Sequence, residues 1–260
     1  MRRRMRLVFA AGVLLGLAAV TAAPAADMAV KARPVVAPVL YNWSGCYIGA
    51  NAGGGWSRMT MFRDQIDTVP PTPAFADYGR EDASGFLGGG QVGCDFQTTN
   101  LVFGIDGKFD FGRINGQHNI PAFPGFTDTN SLQQLYLITG RIGYLWTPQL
   151  LSYVKVGASF QTNKNSVFSP GGALFESARF TDPGITAGGG IEYMFAPHWS
   201  VFVEANYVWS EADDAAHDWR PPIGIANPGE VINERQRILS ALVGINYKFN
   251  WDSGPVVAKY

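Results

Sequence analysis

Ser84-Gly85-Phe86-Leu87-Gly88-Gly89-Gly90-Gln91-Val92-Gly93-Cys94-Asp95-Phe96 is two sequences interleaved. Taking alternate positions gives Phe86, Gly88, Gly90, Val92, Cys94 and Phe96 on one side, and Leu87, Gly89, Gln91, Gly93 and Asp95 on the other. Successive side chains of a strand point to opposite faces, so this run is a β-strand with one oily side. The pattern recurs at 46–56, 101–111, 132–146, 151–160, 184–195, 199–209 and 237–249. The less apolar sides of these runs carry Asp95, Asp106, Lys108, Asp110, Arg141, Lys155, Glu192, Glu204 and Lys248. A soluble sandwich or barrel turns its oily faces inward and its charges outward. Here the aromatic rings share the apolar face, and the opposite face holds more charge than a dry core tolerates. A barrel with reversed polarity reconciles the two, apolar toward lipid and polar toward its own lumen.

Connection lengths predict the topology. The links at 97–100, 147–150 and 196–198 are short, whereas 57–83, 112–131, 161–183 and 210–236 are long, polar and rich in Pro and Gly. Outer-membrane barrels have short periplasmic turns and long outer loops. The reading is all-β: an eight-stranded antiparallel up-and-down transmembrane β-barrel over 43–250, with both mature termini in the periplasm. A strand of about 11 residues tilted by ~40° rises about 28 Å, enough for an apolar band of ~25 Å. Trp146, Phe195, Trp199, Phe249 and Trp251 are expected to form a periplasmic aromatic girdle. Trp56, Phe109, Phe111, Tyr136, Phe160 and Trp209 are expected to form an outer one, since amphipathic rings favour the headgroup level.

The ends of the chain explain export. Arg2, Arg3, Arg4 and Arg6 precede an apolar stretch at 7–20 and the small-residue site Ala23-Pro24-Ala25. That is the form of a cleaved signal peptide, assigned to 1–25, and the stretch is short for a membrane span. A Pro-rich periplasmic segment follows at 26–42, and 251–260 is a periplasmic tail. No later segment has the ~18 uninterrupted apolar residues of a transmembrane helix. The formal net charge is −1, and losing four arginines and no acids with the leader makes it −5. This balance argues against nucleic acid as a partner. Charged residues make up 16 % of the chain, below the ~25 % of soluble domains, while 31 glycines suit a tightly curved sheet.

Other motifs carry little chemistry. The triplets Gly53-Gly54-Gly55, Gly88-Gly89-Gly90 and Gly188-Gly189-Gly190 continue into alternation. A phosphate loop would instead enter a helix with a Lys-Ser/Thr pair, so these are wall glycines allowing close approach. His118, His198 and His217 fall in loops or turns, no two at a ligand spacing. His217 with Asp213, Asp214 and Asp218 loosely resembles the acidic and His groups of outer-membrane proteases, but those draw residues from facing walls and these share one loop. No catalytic, metal or cofactor residue is assigned, and the chain is read as no enzyme. Within the lumen, Arg141 is expected to bridge at least one acid. Cys46 and Cys94 have outward parity on adjacent strands. A register pairing Trp56 with Ser84 sets Ile48 opposite Val92 and Cys46 opposite Cys94. An exported pair is expected to join; a slipped register leaves two free thiols.

Several segments are familiar in this order: Asn42-Trp43-Ser44-Gly45-Cys46-Tyr47-Ile48-Gly49, Gly88-Gly89-Gly90-Gln91-Val92-Gly93-Cys94, Gly140-Arg141-Ile142-Gly143-Tyr144, Gly189-Gly190-Ile191-Glu192-Tyr193, Gly244-Ile245-Asn246-Tyr247-Lys248-Phe249, and the ending Gly254-Pro255-Val256-Val257-Ala258-Lys259-Tyr260. The chain resembles the alphaproteobacterial outer-membrane immunogenic protein family of porin-like, opacity-type barrels. The resemblance implies an abundant eight-stranded barrel of the outer membrane, exposed as an antigen. It brings no catalytic residues, and the aromatic residues many members carry at the two cysteine positions are absent here. The expected function is a structural, surface-exposed barrel that supports envelope integrity and presents four outer loops. The alternatives are a porin-like passive pore for small solutes and a haem- or ligand-binding surface barrel. Expected partners are the bilayer, lipopolysaccharide, the barrel-assembly machinery and a host or environmental ligand at the loops.

Overall fold

Buried and exposed residues alternate along the lipid-level part of the strands of the computed structural model, which describes residues 41–66, 76–121, 124–216 and 230–249. The leader, most of the Pro-rich segment, Trp251 with the tail, and His217 with Asp218 lie outside the described residues, as do the side chains of Asp213 and Asp214. Eight strands follow in order: β1 (Gly45–Ile66), β2 (Ala76–Thr98), β3 (Leu101–Asn119), β4 (Thr127–Thr147), β5 (Leu150–Phe168), β6 (Leu174–Ala196), β7 (Trp199–Ala216) and β8 (Glu230–Phe249). Each pairs antiparallel with its successor, and β8 pairs with β1 to close the barrel. Closure leaves no edge strand to hydrogen-bond elsewhere.

The β1–β2 ladder sets Cys46 opposite Cys94, Ile48 opposite Val92 and Trp56 opposite Ser84. Cys46 and Cys94 form a disulfide. Phe86, Val92 and Phe96 face outward and are exposed, whereas Leu87, Gln91 and Asp95 of the same strand are buried inside. Tight turns join β2 to β3, β4 to β5 and β6 to β7; the first places Thr99 at a left-handed φ of 53°.

The strands run far beyond the expected limits, all at the end opposite the tight turns. β1 has 22 residues, which at roughly 3.3 Å each and a tilt of about 40° rise about 55 Å, twice the ~25 Å lipid band. Segments read as loops are therefore ladder: 112–119 belongs to β3, 127–131 to β4 and 161–168 to β5. The described connections shrink to 120–126 and 169–173, closed by Ile120 N–H to Phe126 O (3.1 Å) and Ser169 N–H to Ala173 O (2.9 Å). His118, expected in a loop, lies in β3. The cause is the disappearance of hydrophobic contrast. Above the lipid both faces meet polar surroundings, so Thr127-Asp128-Thr129-Asn130-Ser131 pairs as strand without an oily side. Shifts of register between Phe111 and Ile114, and between Leu132 and Gln134, also break the period-two phase there.

Candidate functional site

The inward side chains of all eight strands meet in a lumen narrow enough to be filled. Arg141 on β4 grips Asp95 on β2 with two nitrogens, Nε lying 2.8 Å from Oδ1 and Nη2 meeting Oδ2. Its Nη1 reaches Glu192 on β6 at 3.1 Å. Lys248 of β8 donates to Asp95 at 2.6 Å. Ser200 and Asn246 donate to Glu192 at 2.5 and 3.0 Å. A second knot centres on Glu204 of β7, which accepts from Lys108, from Lys155 at 2.9 Å, and from the Tyr153 hydroxyl at 2.8 Å. Lys155 also lies 3.3 Å from Asp106, which accepts from Thr139 at 2.5 Å. The rings of Tyr47 and Tyr153 stand 4.8 and 5.1 Å from the Arg141 guanidinium carbon.

Eight of the nine inward charges named from sequence thus meet as alternating acids and bases: Asp95, Asp106, Glu192 and Glu204 against Lys108, Arg141, Lys155 and Lys248. Asp110 stands apart, fully buried with no hydrogen-bond partner for either carboxylate oxygen. The four acids of the network are tolerable this deep because each faces a base, with Thr139, Tyr153, Ser200 and Asn246 donating to further lone pairs.

Sequence reasoning missed two apolar layers that sandwich this network. Toward the tight turns, Val102, Leu145, Leu151, Tyr153 and Met194 pack around Trp43. Trp43 precedes β1 and is fully buried; its indole N–H donates to Pro148 O at 3.0 Å and its backbone N–H to the Gln97 side chain at 2.9 Å. Lys248 Nζ sits 4.9 Å from the centre of its rings. On the other side of the network, Leu87, Ile114, Leu132, Leu135, Leu137, Val208, Ile238 and Leu242 form a second plug. The lumen is therefore polar in the middle and oily above and below. Leu87 and Leu137 do show their inward parity in the sequence, whereas Trp43 has no strand phase to place it.

Glycines make this filling possible. Tyr47, Tyr153 and Phe202 lie flat on the inner wall over Gly93, Gly190 and Gly244, where any Cβ would collide with the ring. The last glycine of the third triplet thus serves as a seat for an aromatic ring.

Beyond the second plug the lumen is polar again. Asn163 donates to Gln236 at 2.8 Å, and Gln236 to Ser57 at 3.0 Å. There Glu81, His118 and Asp128 come together, from β2, β3 and β4. Burial pushes the Asp128 carboxyl, well outside the lipid band, up to about 7, with His118 pulling it down and Glu81 pushing it up. His198 instead occupies the β6–β7 turn at the opposite end, Nδ1 lying 3.0 Å from Lys248 O.

Outside, Trp146, Phe195, Trp199 and Phe249 stand exposed at the tight-turn end, and Trp56 and Trp209 are exposed further along the strands. Edge-to-face contacts link Tyr144 to Trp146, Trp199 to Tyr247, Tyr247 to Phe249 and Tyr207 to Trp209, with centroids 5.2, 5.0, 5.0 and 4.5 Å apart. Between these levels Ile105, Ile138, Val154, Val203 and Val243 form an uninterrupted oily skin. Such a continuous exposed apolar surface is a membrane face.

Residues 13–220 match the model of the family described as outer membrane protein beta-barrel domain. The 31 kDa outer-membrane immunogenic proteins of Brucella melitensis biotype 1 and Brucella suis biovar 1 are each 28 % identical over 250 residues, covering 91 % of this chain and 98 % of theirs. Among solved structures, the outer membrane protein OprG from Pseudomonas aeruginosa aligns over 82 % of this chain and 100 % of its own, with 13 % identity and a TM-score of 0.48.

Proposed function

The chain belongs to the outer membrane protein beta-barrel domain family, and from that premise we propose that it is a sealed, structural barrel that displays its long-loop end outside the cell. The carrying observation is the lumen. Two apolar layers enclose a balanced ion network, and side chains crowd an eight-stranded interior, which weighs against an aqueous path. This supports envelope integrity and display over passage of small solutes. The tight turns and both termini then face the periplasm, the usual disposition of such barrels. The immunogenic Brucella relatives favour display as the role of the projecting strands and loops.

The same reading gives the expected partners a chemistry. Arg58, Arg113, Arg179 and Arg237 are exposed on the outward face. Arg58 lines a surface crevice with Trp56, Arg237 and Leu239, next to Asp82, its salt-bridge partner at 2.7 Å. Guanidinium groups beside an aromatic girdle suit the phosphates of lipopolysaccharide. The closing strand β8, with Val243, Ile245, Tyr247 and Phe249 on its outward side, is the element the assembly machinery would read.

Recording from the purified barrel in planar lipid bilayers tests the sealed lumen. No reproducible open steps are expected at either polarity; reproducible unitary steps overturn the reading in favour of a pore.

A further inference from the structure

The mouth at the long-loop end contains a group of donors separate from the ion network. Glu81, His118 and Asp128 project inward from three successive strands. His118 and Asp128 are direct partners across the β3–β4 ladder. Glu81 Oε2 lies 3.1 Å from His118 Nδ1. One ligand atom from each of the three falls within 4.8 Å of the others. Both acids are 2 % exposed and the His118 side chain is 12 % exposed, so the wall encloses the carboxylates and leaves the ring partly open.

Two further features favour a cation at this position. Asp128 Oδ1 is buried with no hydrogen-bond partner. Two carboxylates held this close and this deep repel one another when ionised, and the single His118 ring can offset at most one of the two charges. The backbone is also shaped around the trio. Gly116 leaves the space that the Glu81 carboxylate fills, since a Cβ there would collide with Oε1. Gly79, at a φ of +101°, passes under His118, where a Cβ would lie 3.0 Å from ring Cδ2.

We infer that Glu81, His118 and Asp128 form a three-ligand site for a divalent transition-metal ion at the mouth of the barrel, with zinc the best fit. An imidazole nitrogen and two carboxylate oxygens are donors zinc accepts at about 2.0–2.2 Å; in a tetrahedral site neighbouring ligands then stand roughly 3.4 Å apart. The observed spacing, within 4.8 Å, leaves the three side chains about 1.4 Å to close on a bound ion. Three protein ligands leave a fourth position open to water or to a donor from outside. The apolar layer around Leu87 and Leu135 separates this site from the ion network, so metal is taken up from the mouth and stays there. The chain's two cysteines are joined to each other and do not compete for the metal.

The test uses the full mature chain without an affinity tag, folded in detergent, stripped with chelator and titrated calorimetrically with zinc chloride. One zinc per chain is expected. Even the loss of an outer-shell partner weakens metal binding about 10–100-fold, so His118→Gln and Asp128→Asn should each cost at least roughly tenfold. His198→Gln, at the opposite end, should bind as wild type does. Mobility of unboiled samples on gels verifies that each variant is folded. Cobalt added to the wild-type protein gives a readout independent of any variant: the visible bands of a low-symmetry nitrogen–oxygen site are expected. Wild-type protein that takes up no zinc, folded variants that bind as tightly as wild type, or a spectrum of merely hydrated cobalt would each overturn the assignment.

Discussion

Arg141 shows how much a single side chain carries. It holds Asp95 and Glu192 together with its side chain 4 % exposed. Arg141→Met keeps the bulk and removes the charge, leaving two acids with Lys248 alone. Breaking a buried pair from one side costs about 3–5 kcal/mol. The temperature at which the folded band converts to the unfolded one on unboiled gels should fall clearly, and an unchanged transition would show that the network is dispensable. At this scale the sequence discloses signs and faces but not partners. Asp95 and Arg141 have readable inward parity, yet Asp95 meets Lys248 across 153 positions of chain, a contact set by closure and strand stagger. Gly93 was readable as a small wall residue; that Tyr47 lies on it was not.

Strands and their ladders are the next scale. The β1–β2 register is legible because Trp56, Ser84 and the two cysteines all fit a single antiparallel phase. The disulfide fastens that hairpin across a separation of 48 residues. Replacing both cysteines with serine should leave the barrel intact but less stable by about 2–4 kcal/mol. Urea unfolding in detergent reads this as an earlier midpoint, and an unmoved midpoint would mean that the ladder alone sets stability. Strand length was the illegible property. Periodicity reports contrast between two environments, so it fades where β3, β4 and β5 leave the lipid, even though backbone pairing continues. For the same reason His118 reads as a loop residue, and its meeting with Glu81 and Asp128 has no signature in the order of residues.

For the molecule as a whole, closure decides everything else. Residues 244–249 of β8 pair with 46–51 of β1, completing the cylinder. Deleting 244–249 removes that seam and exposes the unpaired rim of β1 to hydrocarbon, where unsatisfied backbone groups are prohibitive. The truncated chain should fail to insert, and a retained shift in gel mobility between boiled and unboiled samples would refute this. The reversed polarity of the wall was readable from alternation because lipid and lumen differ so strongly. The layering inside was not, since Leu135 or Val208 on an inward face looks like noise until eight such faces are brought together.

The seating of Trp43 has a mechanical consequence. Its indole is clamped between the Pro148 carbonyl and the Lys248 ammonium, just ahead of the first ladder bond. Traction on the chain ahead of Trp43 would load this cork before it reached β1. A tug would have to drag a bulky heterocycle out of an oily socket before it could begin to unzip the wall.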